Sequence, residues 1–195
     1  MPYVLFRPCA YQRASHERAA SSTLVFLPVL GGPLLHAPVL RWDLLAPLKR
    51  PIKRSLFGQN KTWRGAIVMT AGPTAAAAAL HRSARYRRRL PAAVADANPL
   101  LVGGLLGLAS WTGELPNSFI KRRLGIAPGA QRRSPLGVAI SVFDQADWVP
   151  AAWLLLAPVW RMSPREAAWT FALVAAVHAP INVIGYAIGA RSSPI

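Results

Sequence analysis

The chain has 195 residues, of which 53% are hydrophobic and only 15% are charged, and its net charge is +16. Because a soluble domain normally carries about 25% charged residues, this composition argues against a soluble protein and indicates the membrane class. The basic residues form short clusters between apolar runs, as in loops beside a membrane, which argues against a nucleic-acid-binding face. Cys9 is the only cysteine, so an intramolecular disulfide is excluded.

The apolar runs predict an all-α integral membrane protein with about five transmembrane helices, since each run is near the roughly 20 residues that a helix needs to cross the hydrocarbon. Residues 1–21 form a polar, basic N-terminal segment, and residues 22–195 form a single polytopic membrane domain. Some helices are expected to be broken by Pro, Gly and polar residues. The predicted spans are Ser22–Leu40, Gly65–Leu80, Pro99–Ile120, Leu136–Trp160 and Ala167–Ala190.

Two basic loops, 41–64 and 121–135, fall on the same face of a five-span topology. Together with Arg191 they contain thirteen of the 23 Lys and Arg residues. The tendency of positive loops to stay inside therefore places this face in the cytoplasm, with the spans in the cell's inner or plasma membrane. A third basic stretch, 81–89, is expected to contact anionic headgroups.

Three of the seven acidic residues, Glu114, Asp144 and Asp147, lie in apolar surroundings. Carboxylates in such surroundings are costly unless they hold a cation. Asp144 and Asp147 are spaced i and i+3, so a helix presents both on one face, and two carboxylates with phosphate oxygens and waters suit Mg²⁺. We therefore predict Mg²⁺ as cofactor, with all three carboxylates as ligands. Capping of a loop, or pairing with an Arg of another helix, is the structural alternative for the aspartates.

Two basic segments are candidate phosphate-binding elements. The cations of SFIKRR, taken alone, are better explained as a basic stop signal at the membrane surface. Phosphate binding is favoured because Glu114 and Asn117 precede Lys121 on the same side of the predicted helix. In LFGQNKTWRG, Gly58 permits a tight turn, and the alternative is a solvated basic loop. The predicted substrate-binding residues are Asn60, Lys61, Thr62, Arg64, Asn117, Ser118, Arg122 and Arg123.

In the last span, His178, Asn182 and Tyr186 recur at i+4 intervals along one helix face. Polar residues aligned in this way face other helices or a cavity. Interhelical hydrogen bonding and a place at the site are equally good explanations of this row.

Taken together and in order, LFGQNKTWRG, GELPNSFIKRRLGIAPG, FDQADWV and HAPINVIGYAIG resemble the CDP-archaeol synthases of the phosphatidate cytidylyltransferase superfamily. The resemblance implies a nucleotidyltransferase that uses Mg²⁺ to join CTP to a lipid phosphate, giving a CDP-activated lipid and pyrophosphate for phospholipid synthesis. By position it implies that Asp144, Asp147 and Lys121 are catalytic. Glu114 fills a place where the family pattern often has Asp.

The main alternative to this function is a membrane transporter or flippase for an anionic lipid or another anion, because broken helices with intramembrane charge also mark transport sites. Five unequal spans do not divide into the repeated halves that such transporters usually show. The longer aspartate series of a CDP-alcohol phosphotransferase is not found in the sequence.

Overall fold

The computed structural model describes residues 21–127 and 135–187, and within these ranges the protein is helical, without β-strands. The predicted all-α class is confirmed. The predictions for residues 1–20, Arg132, Arg133 and Arg191, and for the side chains of His178, Asn182 and Tyr186, lie outside the described residues. The helices are α1 (Gly31–Arg41), α2 (Arg54–Phe57), α3 (Trp63–His81), α4 (Ala84–Arg87), α5 (Ala92–Ala95), α6 (Pro99–Thr112), α7 (Glu114–Arg123), α8 (Pro135–Asp144), α9 (Trp148–Leu156) and α10 (Pro164–Ala187).

Each predicted span falls on helical structure. The first combines helical residues 21–25, the 3-10 turn Leu27–Leu30 and α1, and this segment, Ser21–Arg41, is the one among the described residues that is long and apolar enough to cross a membrane. The second and fifth spans correspond to α3 and α10. The number of helices that cross the membrane stays a prediction.

The third and fourth spans are each divided into two helices, as the polar residues within them predict. Gly113 alone separates α6 from α7, and residues 145–147 separate α8 from α9. The two breaks touch, since a Cβ at Gly113 would lie 2.5 Å from the Cα of Trp148 and 2.9 Å from the carbonyl oxygen of Asp147. This contact brings the start of α7 against the end of the fourth span.

Small residues allow the central helices to pack backbone against backbone. Gly31 of α1 meets Gly72 of α3 in this way, and a Cβ at Gly107 of α6 would lie 2.6 Å from the Cα of Thr70 of α3. Close approach of helices through small residues is typical of membrane interiors, where lipid gives no hydrophobic driving force for association. The small residues of the second span therefore permit close packing of α3 against α1 and α6.

The core lies between the first segment, α6 and α9. Phe26 contacts Trp148 edge to face, with ring centroids 5.5 Å apart. The 81–89 stretch is tied to this core by Tyr86, whose hydroxyl donates to the carbonyl oxygen of Leu24 at 2.9 Å. Burial raises the pKa of Tyr86 to about 12. Part of this stretch thus has a structural role that the sequence did not indicate.

Candidate active site

Asn117 of α7 joins the two aspartates of the fourth span. Its Nδ2 donates to Asp144 Oδ1 at 2.6 Å and to Asp147 Oδ2 at 3.2 Å. Asn117 is 3% exposed and Asp147 is 4% exposed, so the amide satisfies a carboxylate that water hardly reaches. The sequence placed both aspartates on one helix face, whereas Asp144 ends α8 and Asp147 lies in the turn before α9. The two carboxylates converge because they share the amide of Asn117.

Two lysines from the predicted phosphate-binding segments neutralise carboxylates of the same region. Lys121 Nζ lies 2.6 Å from Asp144 Oδ1, the oxygen that also accepts from Asn117. Lys61 forms an ion pair with Glu114, the first residue of α7. These pairs join the loop before α3, helix α7 and the end of α8 into one polar cluster.

The loop before α3 owes its shape to local hydrogen bonds. Gly58 has φ 85°, in the region that favours glycine, so the predicted tight turn is confirmed. Backbone bonds from Ile52 N to Lys61 O at 2.8 Å and from Trp63 N to Arg50 O at 3.1 Å close the loop. Thr62 is the N-cap of α3, where its hydroxyl accepts from Gly65 N at 3.2 Å. The closed loop leaves Asn60 exposed and directs Lys61 to α7.

The remaining cations of SFIKRR differ from one another. Arg122 buries its Nε and Nη1 atoms without a hydrogen-bond partner in the described part of the chain. Buried donors are normally satisfied, so these two nitrogen atoms are suited to an anionic ligand. Arg123 is exposed, and its guanidinium lies 4.9 Å from the ring centroid of Phe119. Ser118 is half-buried next to Asn117.

A cavity of about 530 Å³ opens beside the loop. Arg64, which is 5% exposed, lines this cavity. His36 and Leu40 of the first helical segment also line it. The other lining residues are Lys49, Pro51, Arg54, Gln59, Asn60, Thr62 and Gly65. The charged side chains of this wall are all cationic, so the cavity is suited to an anion.

Asp43 is a residue of this region that the sequence analysis did not select. Its Oδ1 accepts from Arg64 Nη1 at 2.5 Å and from Lys49 Nζ at 3.3 Å. The bond from Arg64, followed by that from Lys49, holds the pKa of Asp43 below its usual range. A single acid among the seven basic residues of the 41–64 loop was the signal available in the sequence.

Asp144 and Asp147 supply oxygen donors of the type that Mg²⁺ binds in proteins. In the described ranges, no group of three or more His, Cys, Asp or Glu side chains is arranged to hold a metal ion. Glu114 faces Lys61, while Asp144 and Asp147 share one amide. Mg²⁺ usually takes one or two carboxylates and completes its shell with phosphate oxygens and water, so the aspartate pair is a sufficient protein contribution.

Comparison with known proteins identifies the family. The model of the CarS-like CDP-archaeol synthase family matches residues 52–194, which include every predicted site residue. The chain belongs to the CDP-archaeol synthase family. This membership confirms the predicted resemblance and the predicted enzyme class, a nucleotidyltransferase.

Individual CDP-archaeol synthases show the same relationship. That of Halobacterium salinarum is 33% identical over 147 residues, covering 72% of this chain and 77% of its own length. Those of Aeropyrum pernix and Methanococcoides burtonii are 31% and 29% identical, over 74% and 72% of this chain and 73% and 83% of their own lengths. No solved structure matches the chain.

Proposed function

We propose that this protein transfers CMP from CTP to a lipid phosphate in an Mg²⁺-dependent reaction, giving a CDP-activated lipid and pyrophosphate. The observation that carries the proposal is the polar cluster itself, in which Glu114, Asp144 and Asp147 meet Lys61 and Lys121. Relatives named CDP-archaeol synthases support an archaeol-type phosphate as the lipid. The proposed enzyme is an integral membrane protein with its catalytic loops facing the cytoplasm, where CTP is found.

The reaction requires alignment and charge neutralisation more than proton transfer. An oxygen of the lipid phosphate attacks the α-phosphorus of CTP, a new P–O bond forms, and the bond from the α-phosphorus to the bridging oxygen breaks as pyrophosphate leaves. The attacking oxygen is already ionised at neutral pH, so no general base is needed. Phosphoryl and nucleotidyl transfers of this kind depend on positioning and electrostatic stabilisation.

The side chains of the cluster supply both the positioning and the electrostatic stabilisation. Asp144 and Asp147, held by Asn117, would bind Mg²⁺. Lys61, Lys121 and the N–H groups of Arg122 that have no partner among the described residues would bind phosphates. When bound, Mg²⁺ neutralises and aligns phosphate oxygens. Asn60 and Arg64 would contact a substrate phosphate at the cavity wall, whereas Asn117, whose amide nitrogen is bonded to both aspartates, would position those carboxylates and not the triphosphate.

The lysine–carboxylate pairs predict that Mg²⁺ and CTP strengthen each other's binding. Glu114 offsets the charge of Lys61, and Asp144 offsets that of Lys121, so each ammonium group attracts phosphate less strongly while its ion pair is intact. A divalent cation at the carboxylates favours an exchange in which the lysines turn to phosphate. We expect CTP to bind about tenfold more tightly with Mg²⁺ than with EDTA, within the usual range of coupling between two ligands. Isothermal titration calorimetry of the detergent-solubilised protein measures both affinities.

A variant tests the reason for this coupling. Glu114→Gln keeps the size of the side chain but releases Lys61, so CTP should bind more tightly in EDTA than it does to the wild type. Asp96→Asn, which changes an exposed acid remote from the cluster in sequence, is the control and should behave as the wild type. Equal CTP affinity of the wild type with and without Mg²⁺ would contradict the exchange.

The function itself is tested by incubating the solubilised protein with Mg²⁺, labelled CTP and a panel of ether and ester lipid phosphates. Label in the organic phase with at least one lipid, together with release of pyrophosphate, is the expected result. With the protein reconstituted into vesicles, movement of labelled lipid between leaflets without consumption of CTP would instead favour a flippase.

A further inference from the structure

The chain turns sharply after α1 through two residues with left-handed backbone conformations. Asp43 has φ 43° and Leu45 has φ 57°, and neither is glycine. A non-glycine residue in this region is strained and persists where its surroundings fix it. We refer to residues 42–45 as the corner.

One guanidinium nitrogen of Arg64 holds both a side chain and a backbone carbonyl of the corner. Its Nη1 donates to Asp43 Oδ1 at 2.5 Å and to the carbonyl oxygen of Leu44 at 3.3 Å. The corner is also joined to α1, because Leu44 N donates to Val39 O at 2.9 Å. A buried guanidinium at the start of α3 is thereby locked to the end of α1.

The same aspartate oxygen orients two cations of the cavity wall. Lys49 Nζ lies 3.3 Å from Asp43 Oδ1, and both Lys49 and Arg64 line the cavity of about 530 Å³. Asp43 itself is not a lining residue. Since a guanidinium carries five N–H groups in a rigid fork, holding Nη1 on Asp43 fixes the direction of the others.

We propose that Asp43 is a positioning residue, which holds Arg64 and Lys49 at the cavity wall so that they bind a substrate phosphate. This inference rests on the proposed function, because it assumes that the cavity receives a phosphate of CTP or of the lipid. These two sources present the same chemistry to the wall, and separate kinetic measurements with each substrate distinguish them.

The test is the Asp43→Asn variant, in which the side chain keeps its shape and loses its charge. We expect KM for one of the two phosphate substrates to rise about tenfold, because the bond from Arg64 no longer has a charged acceptor and is weakened, while kcat changes less than about threefold. The substrate whose KM rises is the one bound at the wall. Leu45→Gly is the matched control, since glycine retains the left-handed corner, and both of its KM values should equal those of the wild type.

A double-variant cycle separates positioning from support of the fold. If Asp43 acts through Arg64, Asp43→Asn should add little to the KM of an Arg64→Gln enzyme, whereas independent effects would multiply. Lys49→Gln leaves the Asp43–Arg64 pair in place and serves as a second variant should Asp43→Asn fail to fold. It should raise the same KM by a smaller factor.

Three outcomes would overturn the proposal. These are wild-type KM values for both substrates in Asp43→Asn, wild-type values in Lys49→Gln when Asp43→Asn does not fold, or a multiplicative effect in the cycle. Failure of the proposed function gives a different result, since the wild-type protein would then transfer no label from CTP to any lipid phosphate.

Discussion

Asp147→Asn is expected to lower kcat by a factor of about 100–1,000, the loss seen when one electrostatic contact to the reacting groups is removed from an active site. The replacement keeps the size of the side chain, so the buried position next to Asn117 stays filled. What it removes is the negative charge proposed to hold Mg²⁺. Asp144→Asn should cause a similar loss, and it also frees Lys121, whose ammonium group contacts Asp144 Oδ1 at 2.6 Å.

Label transfer from CTP to lipid at saturating Mg²⁺ measures this effect, with membrane insertion of each variant checked by fractionation. Asp96→Asn removes an equal charge from an exposed position and should retain wild-type turnover. Normal turnover in both Asp144→Asn and Asp147→Asn would refute their assignment as metal ligands.

Gly113→Ala is also expected to cause a large loss of activity, although Gly113 contacts no substrate in the proposed mechanism. Its φ of −62° is allowed for alanine, so the obstacle is space. The new methyl group would lie 2.5 Å from Trp148 Cα, and backbone atoms cannot rotate away as a side chain can. The two helix breaks must therefore separate, which moves α7 away from Asp147. A displacement of this size is expected to reduce activity about a hundredfold.

Gly104→Ala is the matched control for this prediction, since it makes the same change within α6. The nearest atom to a Cβ there is Thr74 Oγ1 at 3.9 Å, so the methyl group fits. Replacing a glycine inside a helix should stabilise the protein by ~0.5–1 kcal/mol and leave activity intact. Label-transfer rates measure the activity of both variants, and thermal unfolding measures their stability. Equal activity of Gly113→Ala and the wild type would show that the contact between the breaks does not position the site.

Much of the candidate site was predictable because its signals are local. Apolar runs interrupted by carboxylates are visible as such, and a helix break at FDQAD follows from polar residues within an apolar segment. The role of Gly58 also follows from a local requirement, a tight turn. The partners of these groups were not predictable in the same way, since Lys61 and Glu114 are separated by 53 residues.

The partner of Asp43 could not be predicted from the residues near it in the sequence. In the sequence it is one acid among basic residues, and its neighbours give no reason to prefer Arg64 as its partner. Only the packing of α1 against α3 brings the corner to the start of α3. For Asp144 and Asp147 the sequence predicted the proximity but not its cause. The i,i+3 spacing predicted that they lie close on a helix, whereas a turn and the amide of Asn117 bring them together.

Hydrophobic runs and charges within apolar segments are properties of short stretches of chain, and they are sufficient to predict the helical class, the presence of helix breaks and the residue types of the site. Which charges meet depends on helix packing, since Gly113 packs against the break before α9 and Arg64 against the corner after α1. Ion pairs and hydrogen bonds require distances of a few ångströms between segments far apart in the chain, and only the packing of the helices sets those distances.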